Sequence, residues 1–164
     1  MPTKPLITAA LFAAAGAAAG QVIYIPLGPF KMFPVQHFIN VLSAVWLGPG
    51  WAVLTAFAIS LLRNLFGTGS LIAFPGSMIG ACLAGLLYHK TKKAGWAAVG
   101  EAFGTGVIGA LAAYPVAKLL YGLDAAATYF ILPFTLSTAS GSVLAYAVLK
   151  AFHPVRRRFK ADER

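Results

Sequence analysis

Phe33 to Lys90 reads FPVQHFINVLSAVWLGPGWAVLTAFAISLLRNLFGTGSLIAFPGSMIGACLAGLLYHK. Three apolar segments lie in it, 37–47, 51–66 and 74–88, and none contains an acidic residue. The first two are joined by Leu47-Gly48-Pro49-Gly50, which breaks a helix and predicts a tight antiparallel pair. The loop 66–74, with Gly67 and Gly69, separates the second from the third. The third ends in the basic run His89 to Lys93.

Outward from this stretch the pattern continues. Leu6 to Pro26 gives about 20 further apolar positions, enough to span a bilayer. Segments 96–121 and 127–149 follow on the other side. The N-terminal run resembles a secretory signal, but the hydrophobic segments after it argue for a retained helix. The expected fold is an all-α integral membrane protein, 1–164 as a single membrane domain of six transmembrane helices, ending in a basic tail, 150–164.

Composition agrees. Of 164 residues, 59% are hydrophobic and 10% charged, and the mean hydropathy is +0.78. A soluble domain carries about 25% charged residues, so this chain lacks the polar surface to coat a water-exposed globule. The same figures exclude disorder, a coiled coil and a collagen-like fibre.

The net charge is +9, from 13 Lys and Arg against 4 Asp and Glu. Its placement decides its meaning. Lys4, the loop Lys90/Lys92/Lys93 and the stretch from Lys150 to Arg164 put ten basic residues on one face, against Lys31, Arg63 and Lys118 near the other. Basic residues concentrate in cytoplasmic loops, so both termini are expected in the cytoplasm and no nucleic acid is expected as partner. The tail Arg156-Arg157-Arg158 suits anionic lipid headgroups. Cys82 is the single cysteine, so there is no internal disulfide, and no metal site or cofactor is expected.

Polar side chains at membrane depth are costly and tend to line cavities or helix contacts. His37 and Asn40 share one helix face, and Ser60, Arg63 and Asn64 lie near the outer end of the next helix. Ser77 opens the fourth helix, and Tyr114, Lys118 and Tyr121 lie toward the outer end of the fifth. Tyr129, Pro133, Ser137 and Ser140 form one stripe on the last. Together they predict a pocket open to the outside. Each has a plainer reading: Arg63 snorkelling to headgroups, His37 and Asn40 bonding between helices, Tyr121 and Tyr129 in an interfacial belt, Ser140 and Ser142 bonding back to the backbone. Glu101 is placed near the inner end of the fifth helix, away from the pocket, and paired with the Lys92/Lys93 loop.

Small residues form a second pattern. Ala9, Ala13 and Ala17, and likewise Ala10, Ala14 and Ala18, repeat every four residues on helix one, with Gly16 and Gly20 beside them. Gly76/Gly80 and Gly100/Gly104 repeat the spacing. Such residues let helices approach closely. For the glycine pairs internal packing is the default, whereas helix one has small residues enough for an external helical partner.

The stretch 33–90, through QHFINV, LLRN, GTGS and AFPGSM taken together, resembles the ThiW family, and the six-helix layout extends the likeness to the whole chain. Members of this family are regarded as substrate-binding S components of energy-coupling factor (ECF) vitamin transporters. The resemblance implies a small membrane protein, not an enzyme, in a prokaryotic plasma membrane. It would capture a thiamin precursor, hydroxyethylthiazole, in an outward pocket and associate with a transmembrane coupling subunit and two cytosolic ATPases. Delivery would follow from toppling of the S component in the membrane. The missing phosphate-loop lysine in Gly67-Thr68-Gly69-Ser70 agrees with an ATPase supplied by partners.

On this reading the substrate-binding residues are His37, Asn40, Arg63, Asn64, Thr68, Ser70, Phe74, Ser77, Tyr114, Tyr129 and Ser137. Small positions on helix one that dock the coupling subunit map onto Ala9, Ala13 and Ala17. The polar residues supply hydrogen bonds, Phe74, Tyr114 and Tyr129 stack on a flat ring, and loop 66–74 acts as a lid. Arg63 is the misfit, because a neutral thiazole needs no cation: either it organises the lid through loop carbonyls or the ligand is anionic. Alternatives are an S component for another small thiamin-related or anionic ligand, and a stand-alone channel or exporter. A membrane enzyme would need an acid–base or metal set that scattered Glu101, His37 and His89 do not form.

Overall fold

The computed structural model describes residues 3–28, 30–124 and 126–162, with side chains as far as Phe152. The side chains of the basic tail, Arg156, Arg157, Arg158 and Lys160 among them, and residues 163–164 altogether lie outside the described residues. The chain is all-α apart from one short hairpin. Helix α1 spans Thr3–Val22, α2 Pro34–Leu47, α3 Pro49–Leu65 and α4 Ala73–Thr91. A continuous helical stretch follows as α5 Ala94–Phe103, a π turn Gly104–Gly109 and α6 Ala110–Tyr121, and α7 runs over Ile131–Asp162.

The surface is inverted relative to a soluble protein. Leu11, Leu119, Leu132 and Val143 stand more than 60% exposed, at 64, 81, 66 and 65%. Asn40, Glu101 and Thr138 are fully buried. Apolar area on this scale is untenable in water and natural against lipid. The protein is a membrane protein. Among the described residues three helices are long and apolar enough to cross a bilayer: Thr3–Val22, Ala94–Tyr121 and Ile131–Phe152. By contrast α2 and α3, with 14 and 17 residues, reach roughly 21 and 26 Å at 1.5 Å per residue, short of a hydrocarbon core of about 30 Å.

Several boundaries differ from the sequence reading: α2 starts at Pro34 rather than 37, α4 runs on to Thr91 rather than 88, and α7 continues to Asp162 rather than ending at 149. Helix one ends at Val22 rather than Pro26, and the chain turns into β1 (Ile25–Leu27), paired antiparallel with β2 (Phe30–Met32) in the register Ile25↔Met32 and Leu27↔Phe30. Apolar content sufficed for the longer helix, but Ile23, Tyr24 and Ile25 suit an extended strand equally well. The last helix begins at Ile131, four residues later than expected, since Thr128 and Tyr129 form a turn before it.

Close helix contacts carry the packing. Between α2 and α3, Gly48 takes φ +88°, the left-handed region open to glycine, and Pro49 starts the next helix at once. A side chain on Gly104 would place its Cβ 2.8 Å from Gly80 Cα, so the glycine pairs hold α4 against the π turn, as internal packing requires. Helix α1 uses its small residues the same way: Ala9, Ala13 and Ala17 are 5, 6 and 2% exposed. This corrects their assignment as an external docking face. They turn inward, Ala13 packing with Ile39 and Ile59, and the stripe left outside is Ala10, Ala14 and Ala18.

Candidate functional site

The ends of α2, α3, α4 and α7, the hairpin and the loop after α3 enclose a cavity of about 440 Å³, within the usual range for a small-molecule site of about 300–1,000 Å³. One wall is aromatic. Phe30 packs 5.1 Å from Tyr129 and 6.2 Å from Phe130, and Phe130 lies 5.9 Å from Phe134, centroid to centroid. Spacings of this kind suit edge and tilted contacts and leave ring faces for a flat guest. Leu123 and Ile72 extend the apolar surface.

The opposite wall is polar and tightly bonded. Gln36 donates from Nε2 to Ser60 Oγ at 2.9 Å, Ser60 and Ser77 share a hydroxyl hydrogen bond at 3.0 Å, and Arg63 Nη1 donates to Gln36 Oε1. Arg63 also donates from Nη2 to the carbonyl of Thr68 at 3.1 Å, and its guanidinium lies 3.5 Å over the Phe33 ring. The Arg63 carbonyl in turn accepts from the backbone N–H groups of Thr68 and Gly69, at 2.9 and 2.8 Å. Arg63 therefore clamps the loop 66–72, which is one of the two roles its position suggested, and it does not snorkel, being 3% exposed. Gly69 is required here, since a Cβ would fall 2.6 Å from the Asn64 backbone nitrogen.

Beneath the cavity sits a carboxylate. Glu101 is fully buried, with Oε1 2.8 Å from His37 Nδ1, 2.9 Å from Asn40 Nδ2 and 3.1 Å from Thr105 Oγ1. The π turn positions Thr105, whose hydroxyl also reaches the Gly76 carbonyl at 3.0 Å. Single wide turns of this kind recur at functional sites because they re-aim side chains within a continuing helix. The expected pairing of Glu101 with the Lys92/Lys93 loop is thus overturned. About two turns of α5 separate Glu101 from its helix start, enough to lift it away from the Lys92/Lys93 loop and bring it to His37 and Asn40.

Of the expected binding residues, His37, Arg63, Thr68, Ser70, Ser77, Tyr129 and Ser137 line the cavity. Ser137 Oγ accepts the Phe33 backbone N–H at 2.9 Å, tying the end of the hairpin to α7. Four do not line it. Asn40 lies behind the wall, fully buried, donating to Glu101 and to the Ser77 carbonyl. Asn64 bonds back to the Ser60 carbonyl at 2.8 Å. Phe74 packs against Phe57 at 5.6 Å, and Tyr114 stands beneath Lys118 instead of facing the cavity. Ser140 bonds back to the Leu136 carbonyl at 2.9 Å, the plainer of its two readings.

The cavity also has residues that sequence reasoning passed over. Phe33 lies one turn before His37 and Gln36 immediately before it, while Phe130, just ahead of α7, stands one turn before Phe134. Phe30 and Lys31 come from the hairpin, where Lys31 stands exposed with its ammonium 4.9 Å over Tyr24. Glu101 had a signal: an acidic residue inside a long apolar helix marks a functional position by default.

A protein family described as thiamine-precursor transporter protein (ThiW) matches residues 6–155. No curated protein and no solved structure matches the chain.

Proposed function

The chain belongs to the ThiW family of thiamine-precursor transporters, and on that premise we propose that it is the substrate-binding S component of an ECF importer, with hydroxyethylthiazole as its ligand. The observation that carries the reading is the cavity itself. It has one stacked aromatic wall and one wall of hydrogen-bonding groups, and its buried cation, Arg63, is occupied by Gln36, Thr68 and Phe33. A small, neutral, flat heterocycle with a hydroxyl arm matches that division.

In this account all six helical segments cross or line the membrane, both termini are cytoplasmic, and the cavity opens outward. The short α2 and α3 are then accommodated within the bundle rather than each facing lipid along a full span. The protein sits in a prokaryotic plasma membrane. A coupling subunit and two ATPases supply the energy, and the exposed small-residue stripe Ala10, Ala14 and Ala18 is the α1 face open to the coupling helices. Loop 66–72, hinged at Gly67 with φ +74°, acts as the lid.

A second reading, an anionic thiamin-related ligand, draws on Lys31 and Arg63 both lining the cavity. The mass of the small molecule retained by the purified protein distinguishes the two. The thiazole alcohol is expected; a phosphorylated or carboxylated compound would replace it by the second reading, and an unrelated compound would remove both.

A further inference from the structure

The buried Glu101–His37 pair has a consequence for what the cavity accepts. Resting on the reading of the cavity as the substrate site, we propose that Glu101 fixes the tautomer of His37, so that Nε2 meets the ligand as a hydrogen-bond acceptor. The site then selects a neutral heterocycle bearing a hydroxyl or N–H donor.

The geometry runs as a chain of assignments. A carboxylate oxygen accepts, so the 2.8 Å contact places the proton on His37 Nδ1. His37 lines the cavity with its side chain 9% exposed. With Nδ1 committed, Nε2 is the ring atom left for a guest, and among the described residues it has no hydrogen-bond partner. In the neutral ring that nitrogen carries a lone pair.

Arg63 and Glu101 are joined through one buried network: Arg63 to Gln36, Gln36 to Ser60, Ser60 to Ser77, and Asn40 to both the Ser77 carbonyl and Glu101. Among the described residues nothing else in that network bonds to His37, so the ring is held at Nδ1 by one Glu101 oxygen, with Nε2 left to the cavity. Lys31, the other cation at the cavity, is on the exposed hairpin and adds no negative charge. Arg63 is committed to Gln36, the Thr68 carbonyl and the Phe33 ring, so no anionic ligand is needed to explain it. Glu101 acts as a positioning residue, holding His37 without touching the guest.

The test uses the full chain, purified in nanodiscs with ¹⁵N-labelled histidine rings, the His37 signals being assigned by their loss in His37→Gln. The expected spectrum shows a protonated Nδ1 and an unprotonated Nε2, with Nε2 shifting on saturation with hydroxyethylthiazole. In Glu101→Gln, whose amide can donate as well as accept, the opposite tautomer appears. In parallel, hydroxyethylthiazole binds the wild type at least about tenfold more tightly than its methyl ether, and His37→Phe removes most of that preference. An imidazolium signature, a protonated Nε2, or equal affinity for alcohol and ether overturns the proposal. If neither compound binds folded protein, the thiazole reading fails, and the nitrogen signature alone decides whether His37 presents an acceptor.

Discussion

Replacing Glu101 by alanine tests whether the buried carboxylate organises the floor of the cavity. Three donors converge on Oε1, from His37, Asn40 and Thr105. Two of them keep an alternative: Asn40 retains the Ser77 carbonyl and Thr105 the Gly76 carbonyl. His37 Nδ1 loses its partner outright. Side-chain hydrogen bonds within membrane proteins average about 0.6 kcal/mol, which for three bonds gives roughly 2 kcal/mol. A buried donor left unpaired, as His37 Nδ1 would be, costs about 1–3 kcal/mol on top of that, so about 5 kcal/mol is the upper limit. Between these limits we expect Glu101→Ala to destabilise by about 2–4 kcal/mol, and Glu101→Gln, which keeps one acceptor, by about half as much. Equilibrium unfolding in a denaturing-detergent titration, followed by tryptophan fluorescence, measures both. A double-mutant cycle with His37→Phe should return a coupling of roughly 1 kcal/mol or more. Wild-type stability in Glu101→Ala, or additive single effects, would refute the reasoning.

Other outcomes follow from the same contacts. Gly80→Ala drives its Cβ into Thr105 Oγ1 and to 2.8 Å from Glu101 Oε2, so overpacking of about 1–3 kcal/mol and weaker ligand binding are expected by calorimetry. Arg63→Lys keeps the charge but loses the planar fork that reaches both Gln36 and the Thr68 carbonyl; affinity should fall roughly tenfold, with faster proteolysis in loop 66–72. Ala13→Trp and Ala14→Trp should separate packing from docking, because Ala13 is buried and Ala14 exposed. The first should unfold or aggregate the protein in a thermal melt; the second should fold and bind ligand yet lose ATP-driven uptake in reconstituted vesicles.

Much of the architecture was legible because apolar run lengths and glycine–proline breaks are local signals. Gly48-Pro49 marked the α2–α3 turn, and Lys4 and Lys90 to Lys93 bounded the apolar runs. The hairpin at Ile25–Met32 was not, since an apolar run gives no way to tell a strand from the end of a helix when the segment is three residues long. Half of the polar wall was legible, as His37, Arg63 and Ser77 are expensive in a membrane and had to have a reason. The side chains that face away, Asn64, Phe74 and Tyr114, fail because a residue's height in the membrane says little about which way its helix face turns. Ala9, Ala13 and Ala17 failed for that reason too: two equivalent alanine stripes share helix one, and only packing against Ile39 and Ile59 separates inside from outside. Glu101 was misplaced by one assumption, that an acid near a basic loop pairs with it, when the helix carries it beneath the pocket instead.

Titrating the purified chain alone with hydroxyethylthiazole, without ATP or any other protein, addresses the central claim most directly. The account predicts saturable binding at one site per chain, weakened by His37→Phe and by Arg63→Lys. Folded protein that shows no binding, or binding unchanged in both variants, would contradict it.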